Sequence, residues 1–430
     1  MSKQNLIESN LELLYQKCVS AHEKTKFIST VHRSFFYNDE PKLYTFILNS
    51  KNSSKKFRTN ASGSAWSEKL AFIKGYIEMV ERYALIPSNK DFKDLVLSSE
   101  TNLPAAIKIN KFMKFSKQQM SDKSFAQKVA TERDPIYWTE AIDLITNRSV
   151  FIPAQTVFCP FGKKEKIIRT PISTGASAGL DKNSTIIRAI FEVLERDSFI
   201  SSYLGRLPGS VVNIANPKGA IKDLLDEFSF YLLKPTIIKL DNDYNIPVIL
   251  TILTDLTKNK PVVTFGLKCH TDLNRAIQGS LEESFHTRGW MRDELAKSDK
   301  SSIQALIKNI DHTYELKDRG LIWSQPFVLK YASFWLNNKK TINLSLKSSY
   351  PEITLDTLLN KIKKVGFDIY LKELSDPEIT KLGFYACKVV IPQAQPLYLE
   401  EDFKYLDSSR IEKIAKRKIN SLNTFLQPFL

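Results

Sequence analysis

Apolar positions along the chain alternate between helical and extended spacing, and the changes of period mark out the elements. Residues 4–24 carry Leu6, Leu11, Leu13, Leu14 and Val19 at spacings that predict an amphipathic helix. Leu43, Tyr44, Phe46 and Ile47 predict a strand over 42–48, and the polar run 49–56 after it predicts a loop. Residues 90–150 are mixed, with a turn at 134–138. The run 149–158 reads as a strand interrupted by Pro153. Three β-branched runs, 235–240, 247–253 and 261–267, each bounded by turn residues, predict adjacent strands. Two more strands are predicted at 367–372 and 385–391, and a basic helix from 411 leads into an apolar, non-helical tail. No Pro/Ser/Gly-rich linker divides these elements. The expectation is one intertwined α+β core.

Three segments share a further pattern, a glycine followed by an apolar helix with acidic groups on one face. In the segment 173–197, Glu192 and Glu195 follow Gly175 by 17 and 20 residues, and Arg196 and Asp197 come next. Glu283 and His286 stand at the same two distances from Gly266. Glu78 and Glu81, followed by Arg82, lie two residues closer to Gly63. Residues at i and i+3 share a helix face. Ile186, Ile187, Ala189, Ile190, Phe191, Val193 and Leu194 leave the middle helix apolar on nearly every side, so it should be buried. A single ExxER is usually a solvated face or a structural ion pair. Buried carboxylates, repeated three times, need a cation, and divalent metal with phosphate supplies one that suits oxygen ligands.

Composition narrows the class. The chain has 430 residues, 43% hydrophobic and 25% charged, which is a globular balance. No window reaches the length of a membrane span, and the N-terminus lacks the apolar core of a secretion signal. Cys18, Cys159, Cys269 and Cys387 are scattered without a CxxC, so neither a zinc site nor a disulfide framework is expected, and a reducing cytoplasm is implied. The net charge of +15 favours an acidic partner such as ATP or an acidic peptide. The lysines are dispersed and no nucleic-acid-binding motif gathers them, so nucleic acid is not the expected partner.

These residues resemble the YcaO family, ATP-dependent enzymes that activate backbone amides of ribosomally made peptides. Residues 173–179 (STGASAG) resemble its glycine turn and 192–197 (EVLERD) its acidic helix. The segments 59–65 and 75–82 resemble the first part of the same ATP site, and 266–269 with 281–288 its third element. Residues 366–370, 375–378 and 389–397 follow in the family order, so the resemblance covers about 55–430.

The resemblance implies a large α+β domain of mixed sheets and packed helices around a buried ATP/Mg2+ site. It implies an N-terminal extension over 1–56, a core over 57–404 and a C-terminal helix and tail over 405–430. Glu78, Glu81, Glu192, Glu195 and Glu283 would hold Mg2+ ions that bridge the ATP phosphates. Arg196 would pair with phosphate, Ser177 would sit against the nucleoside, and His286 would line the cofactor site. The chain departs from the family at Ser184, where a further glutamate is usual, and at His286, where glutamine is common. Its tail, 426–430 (LQPFL), keeps only part of the proline-rich ending of azoline-forming members. Either that tail packs as an apolar surface segment, or the terminal carboxylate of Leu430 enters the site as an acid–base group.

The implied activity is cyclodehydration of Cys, Ser or Thr in a precursor peptide to azolines. Thioamide formation and an inactive ATP- or leader-binding scaffold are the alternatives. No ubiquitin-activating-like region and no zinc cysteines are seen, so the implied partners are the precursor peptide, a separate E1-like leader-binding protein, and a second copy in a homodimer.

Overall fold

The computed structural model describes residues 3–25, 27–51, 57–312, 315–344 and 351–429. In chain order the first strands are β1 (Ile28–Arg33), β2 (Tyr44–Ser50), β3 (Asn60–Ala65), β4 (Val96–Ser98), β5 (Ile136–Asp143), β6 (Arg148–Pro153) and β7 (Ala176–Gly179). They are followed by β8 (Ser210–Ile214), β9 (Leu233–Lys239), β10 (Val248–Asp255), β11 (Val263–Cys269), β12 (Thr341–Leu344), β13 (Tyr370–Glu373) and β14 (Tyr385–Val390). The acidic segments fall on three long helices, Glu68–Leu85, Lys182–Gly205 and Leu273–Ala296. The fold class is α+β, as expected. Among the described residues, no helix is long and apolar enough to cross a membrane.

The chain gathers into two compact units, each built from three separate segments. The first comprises Met1–Phe112, Gln127–Ile190 and Asp368–Ile391, and the second Met113–Ala126, Phe191–Phe367 and Pro392–Leu430. The helix Lys182–Gly205 contributes 182–190 to the first and 191–205 to the second.

In the first unit, β1-β2-β3 form an antiparallel sheet, and a second sheet runs β4-β5-β13-β14-β7 with β6 paired to β5. The helix Glu68–Leu85 packs on β2, β3, β7 and β14. It does so through Ala71, Phe72, Ile73, Tyr76, Met79, Val80 and Tyr83, all buried on its apolar face. In the second unit the order is β11-β10-β9-β8-β12, antiparallel except for the parallel β8–β12 pair. The interior strand β10 is buried on both faces, so its sequence VILTILTD is a nearly continuous apolar run without polar alternation. The helix Leu273–Ala296 covers β10 and β11. Asp272 starts it, its carboxylate accepting from the Asn274 and Arg275 backbone N–H groups.

The three β-branched runs form β9, β10 and β11 as predicted, the predicted strand 367–372 overlaps β13, and 385–391 contains β14. The glycine segments need correction. Gly175 has φ +87 and lies in a turn closed by Ala176 N–H donating to the Ser173 carbonyl at 2.8 Å. Gly63, however, sits inside strand β3, whereas Gly266 lies in β11, within the strand predicted over 261–267. They are glycines because a helix crosses them: a Cβ at Gly63 would lie 2.0 Å from Gly75 N, and one at Gly266 would lie 2.1 Å from Ser280 O. Of the predicted loop 49–56, Asn49 and Ser50 continue β2, and 52–56 lie outside the described residues.

Candidate functional site

The predicted residues divide between the units. Glu78, Glu81 and Ser177 belong to the first, and Glu192, Glu195, Arg196, Glu283 and His286 to the second. Leu430 lies outside the described residues.

In the first unit, Glu78 and Glu81 occupy the last turns of Glu68–Leu85. Arg82 grips Glu78 Oε1 with Nε and Nη2, each at 2.8 Å. Both side chains are about a third exposed, at 32% and 38%, so this pair adds little to stability. The Glu78 charge, opposed by burial and helped by Glu81, strengthens the hold of Arg82 on its proton. Glu81 also acts on Arg188, whose Nη2 donates to the Ala178 carbonyl at 3.0 Å and to Thr185 Oγ1 at 3.1 Å. Ser177 is buried in β7 opposite Cys387 of β14. Ser184, where the family usually has an acid, lies in the first turn of its helix and donates its N–H to Asp181 Oδ1 at 2.8 Å.

In the second unit, the acidic groups meet at the open edge of a sheet. Strand β11 is terminal in its sheet, so alternate N–H groups on its outer side have no strand partner. Glu283 Oε2 accepts from Leu267 N–H at 2.5 Å, and Glu195 Oε2 accepts from Cys269 N–H at 2.8 Å. Arg196 reaches Glu192 Oε1 with Nη2 at 3.6 Å and Glu195 Oε1 with Nη1 at 3.5 Å. Its guanidinium lies over the Phe429 ring, 3.8 Å from the centroid. Arg196 Nη1 is buried and makes no hydrogen bond. Burial, then the like charge of Glu195, pushes the Glu283 carboxyl above the usual carboxylate range, against the pull of Arg196, Leu267 N–H and Lys268. His286 stands one turn beyond Glu283, partly exposed.

Two groups around this site were not predicted from the sequence. Lys268 stands on β11 between the two residues whose N–H groups the carboxylates hold. Its signal was its position, a charge inside an otherwise apolar strand at 261–269. Asp197 closes the EVLERD motif and is fully buried. It accepts from Gln395 N–H at 2.7 Å and from Arg410 Nε and Nη2 at 3.0 and 2.7 Å. Arg410 in turn holds Asp243. Asp197 therefore fixes the helix that carries Glu192, Glu195 and Arg196.

The tail is buried as well. The Leu426 carbonyl accepts from Tyr203 Oη and Trp323 Nε1, each at 3.0 Å, and the Gln427 carbonyl accepts from Arg319 Nη1 at 2.7 Å. Arg319 also donates to Glu401 Oε1 at 2.8 Å. Residues 426–429 are thus internal, which corrects the reading of a tail lying on the surface.

A family model described as YcaO cyclodehydratase, ATP- and Mg2+-binding, matches residues 62–395. Among solved structures, the chain resembles a heterocyclase in complex with substrate and cofactor, with TM-score 0.77 and 16% identity over 97% of this chain and 57% of that one. The chain thus spans little more than half the length of that heterocyclase. YcaO from Methanopyrus kandleri, bound with AMPPCP and Mg2+, matches with TM-score 0.62 and 14% identity over 90% of each chain. A chain of the E. coli microcin synthetase McbBCD complex matches with TM-score 0.56 and 17% identity over 86% of this chain and 88% of that one. No curated protein sequence matches.

The second-unit residues have the donor chemistry, though not the grouping, of a site for a metal-bound polyphosphate. Glu192, Glu195 and Glu283 offer the oxygen donors that Mg2+ prefers. The buried Arg196 Nη1 is a donor without an acceptor, which a phosphate oxygen would satisfy. Among the described residues, no three His, Cys, Asp or Glu side chains are grouped so as to hold a metal ion. Here the carboxylates are held by backbone N–H groups and by Arg196.

Proposed function

The chain belongs to the YcaO family, and from that membership we propose that it uses ATP to cyclodehydrate Cys, Ser or Thr residues of a ribosomal precursor peptide to azolines. ATP and Mg2+ are its cofactors. The observation that best supports the reading is Arg196, ion-paired with Glu192 and Glu195 and carrying a buried guanidinium nitrogen that makes no hydrogen bond, on the helix whose Glu195 shares the β11 edge with Glu283.

In the proposed reaction, the substrate thiol or hydroxyl adds to the preceding amide carbonyl. The resulting alkoxide reverts unless its oxygen becomes a leaving group. ATP with Mg2+ supplies the phosphoryl group that converts this oxygen to a phosphate ester. The amide nitrogen then loses its proton as the C–O bond breaks, leaving the C=N bond of the azoline, with ADP and phosphate as co-products. The work of this chain is positioning and charge neutralisation. Glu192, Glu195 and Glu283 would hold Mg2+, and Glu78 and Glu81 are likewise proposed as Mg2+ ligands. Arg196, whose guanidinium lies over the Phe429 ring, would donate to a phosphate oxygen as charge develops there. Ser177 would sit against the nucleoside, and His286 is proposed as a further nucleotide-site residue.

The proposal includes a separate E1-like leader-binding protein and a homodimer. The described E. coli synthetase is a multi-chain complex, one form of which has pro-MccB17 bound, which supports partner and precursor binding here. The test is incubation of the chain with such a partner, a Cys/Ser/Thr-bearing precursor and Mg-ATP. Loss of one water mass per ring, read by mass spectrometry, is the expected result. Exchange of oxygen for sulfur would instead establish thioamidation. An unchanged peptide and no substrate-dependent ATP turnover would leave only a scaffold.

A further inference from the structure

Lys268 enters the acidic cluster from the strand itself. Its neighbours Leu267 and Cys269 give their N–H groups to Glu283 and Glu195, so the lysine originates between the two held carboxylates. Its stem runs across the helix Leu273–Ala296 at Gly279. A Cβ there would lie 2.8 Å from Lys268 Cγ and 3.0 Å from Cδ. Glycine inside a helix is destabilising relative to alanine. In this helix the missing methyl is the space the lysine stem occupies. The carboxylates whose charge reaches the ammonium are Glu195, Glu283 and Glu192. The side chain is open to solvent, which screens this attraction without cancelling it. Lys268 and Arg196 thus bring two cations to three carboxylates.

We propose that Lys268 is a standing countercation of the nucleotide site, opposing entry of bare divalent ions and drawing in the phosphates of a metal–nucleotide complex. This rests on the reading of the cluster as the nucleotide site. A fixed ammonium repels a dication and attracts a polyphosphate, so the two ligands should respond to its removal in opposite directions. The site would then fill with the complex and not with metal first.

The experiment titrates the full chain with Mn2+ alone, followed by electron paramagnetic resonance, and with Mg-AMPPCP, followed by calorimetry. Lys268→Met is expected to tighten bare Mn2+ several-fold and to weaken Mg-AMPPCP by about tenfold. Gly279→Ala keeps the charge but displaces the stem, and should shift both constants the same way by less. Lys268→Met constants within about twofold of wild type overturn the proposal. So does a loss of metal and nucleotide binding together. A wild-type chain that binds no Mg-AMPPCP would instead defeat the nucleotide reading itself, so the two failures are distinguishable.

Discussion

Arg196 combines three contacts that only a planar cation can make at once. It stacks on Phe429 and points separate nitrogens at Glu192 and Glu195. Lysine would keep the charge but lose both the stacking plane and the fork. Arg196→Lys is therefore expected to lower substrate-dependent ATP turnover by about 10- to 100-fold with little change in melting temperature, since the loss is of the donors proposed to meet phosphate. Turnover near wild type would remove Arg196 from the proposed machinery. Glu195→Gln keeps the shape of the side chain and an oxygen for Cys269 N–H, and deletes only the charge. We expect at least a 100-fold loss of turnover, roughly the effect of removing one electrostatic group from a closed site. Circular dichroism should confirm that the fold is retained.

At the scale of elements, one device recurs: a strand glycine that lets a helix lie directly on the sheet. It joins β3 to Glu68–Leu85 and β11 to Leu273–Ala296. In Gly266→Ala the new methyl would meet backbone atoms on both sides, Ser280 O at 2.1 Å and Ser284 N at 2.2 Å. Neither can rotate away, so the cost should reach about 3 kcal/mol, read as a shift of the urea midpoint. Gly366 is a useful contrast. It ends the helix Leu355–Val365 at φ +85 with open space around it, and Gly366→Ala should cost only the left-handed strain of about 1–2 kcal/mol.

The same device explains what sequence reasoning could and could not see. Apolar runs such as VILTILTD announce strands because both faces are buried. β3 (NASGSA) and β7 (ASAG) read as turns because their residues are small, yet smallness is what close helix packing requires. β1 (ISTVHR) escaped notice because most of its residues are exposed or half-exposed and its polar composition lacks an apolar alternation. The acidic helices were legible from i, i+3 spacing. The N–H groups of Leu267 and Cys269 that hold two of their carboxylates were not, because they belong to a strand edge that exists only after the sheet forms. Asp197 was seen in its motif, but its partner Arg410 comes from the far end of the chain.

For the molecule as a whole, the segmented construction of each unit has a direct consequence for dissection. β13 and β14, from 368–391, lie between β5 and β7 in the sheet of the first unit. A fragment ending at residue 190 would leave β7 without its neighbour and β5 with an open edge. Expressed alone, it is expected to show no cooperative thermal transition; a sharp one would contradict this account. The acid response should report the Asp197–Arg410–Asp243 network. Burial works to raise the Asp243 carboxyl, but hydrogen bonds and charge from Arg410, with Lys413, hold it below its ordinary value of 3.8. A depressed carboxyl stabilises fully above its unfolded value and loses that contribution as pH falls through its folded one. Asp243→Asn should thus flatten the fall in urea midpoint below pH about 4 and leave the slope near neutrality unchanged.

The carboxylates on β11 also have a role that involves no chemistry. An outer strand with free N–H groups is a template for recruiting a foreign strand, and here Glu283 and Glu195 occupy two of those positions with negative charge. Truncating both to alanine would unmask an adhesive rim, so such a double variant should lose solubility before it loses its fold.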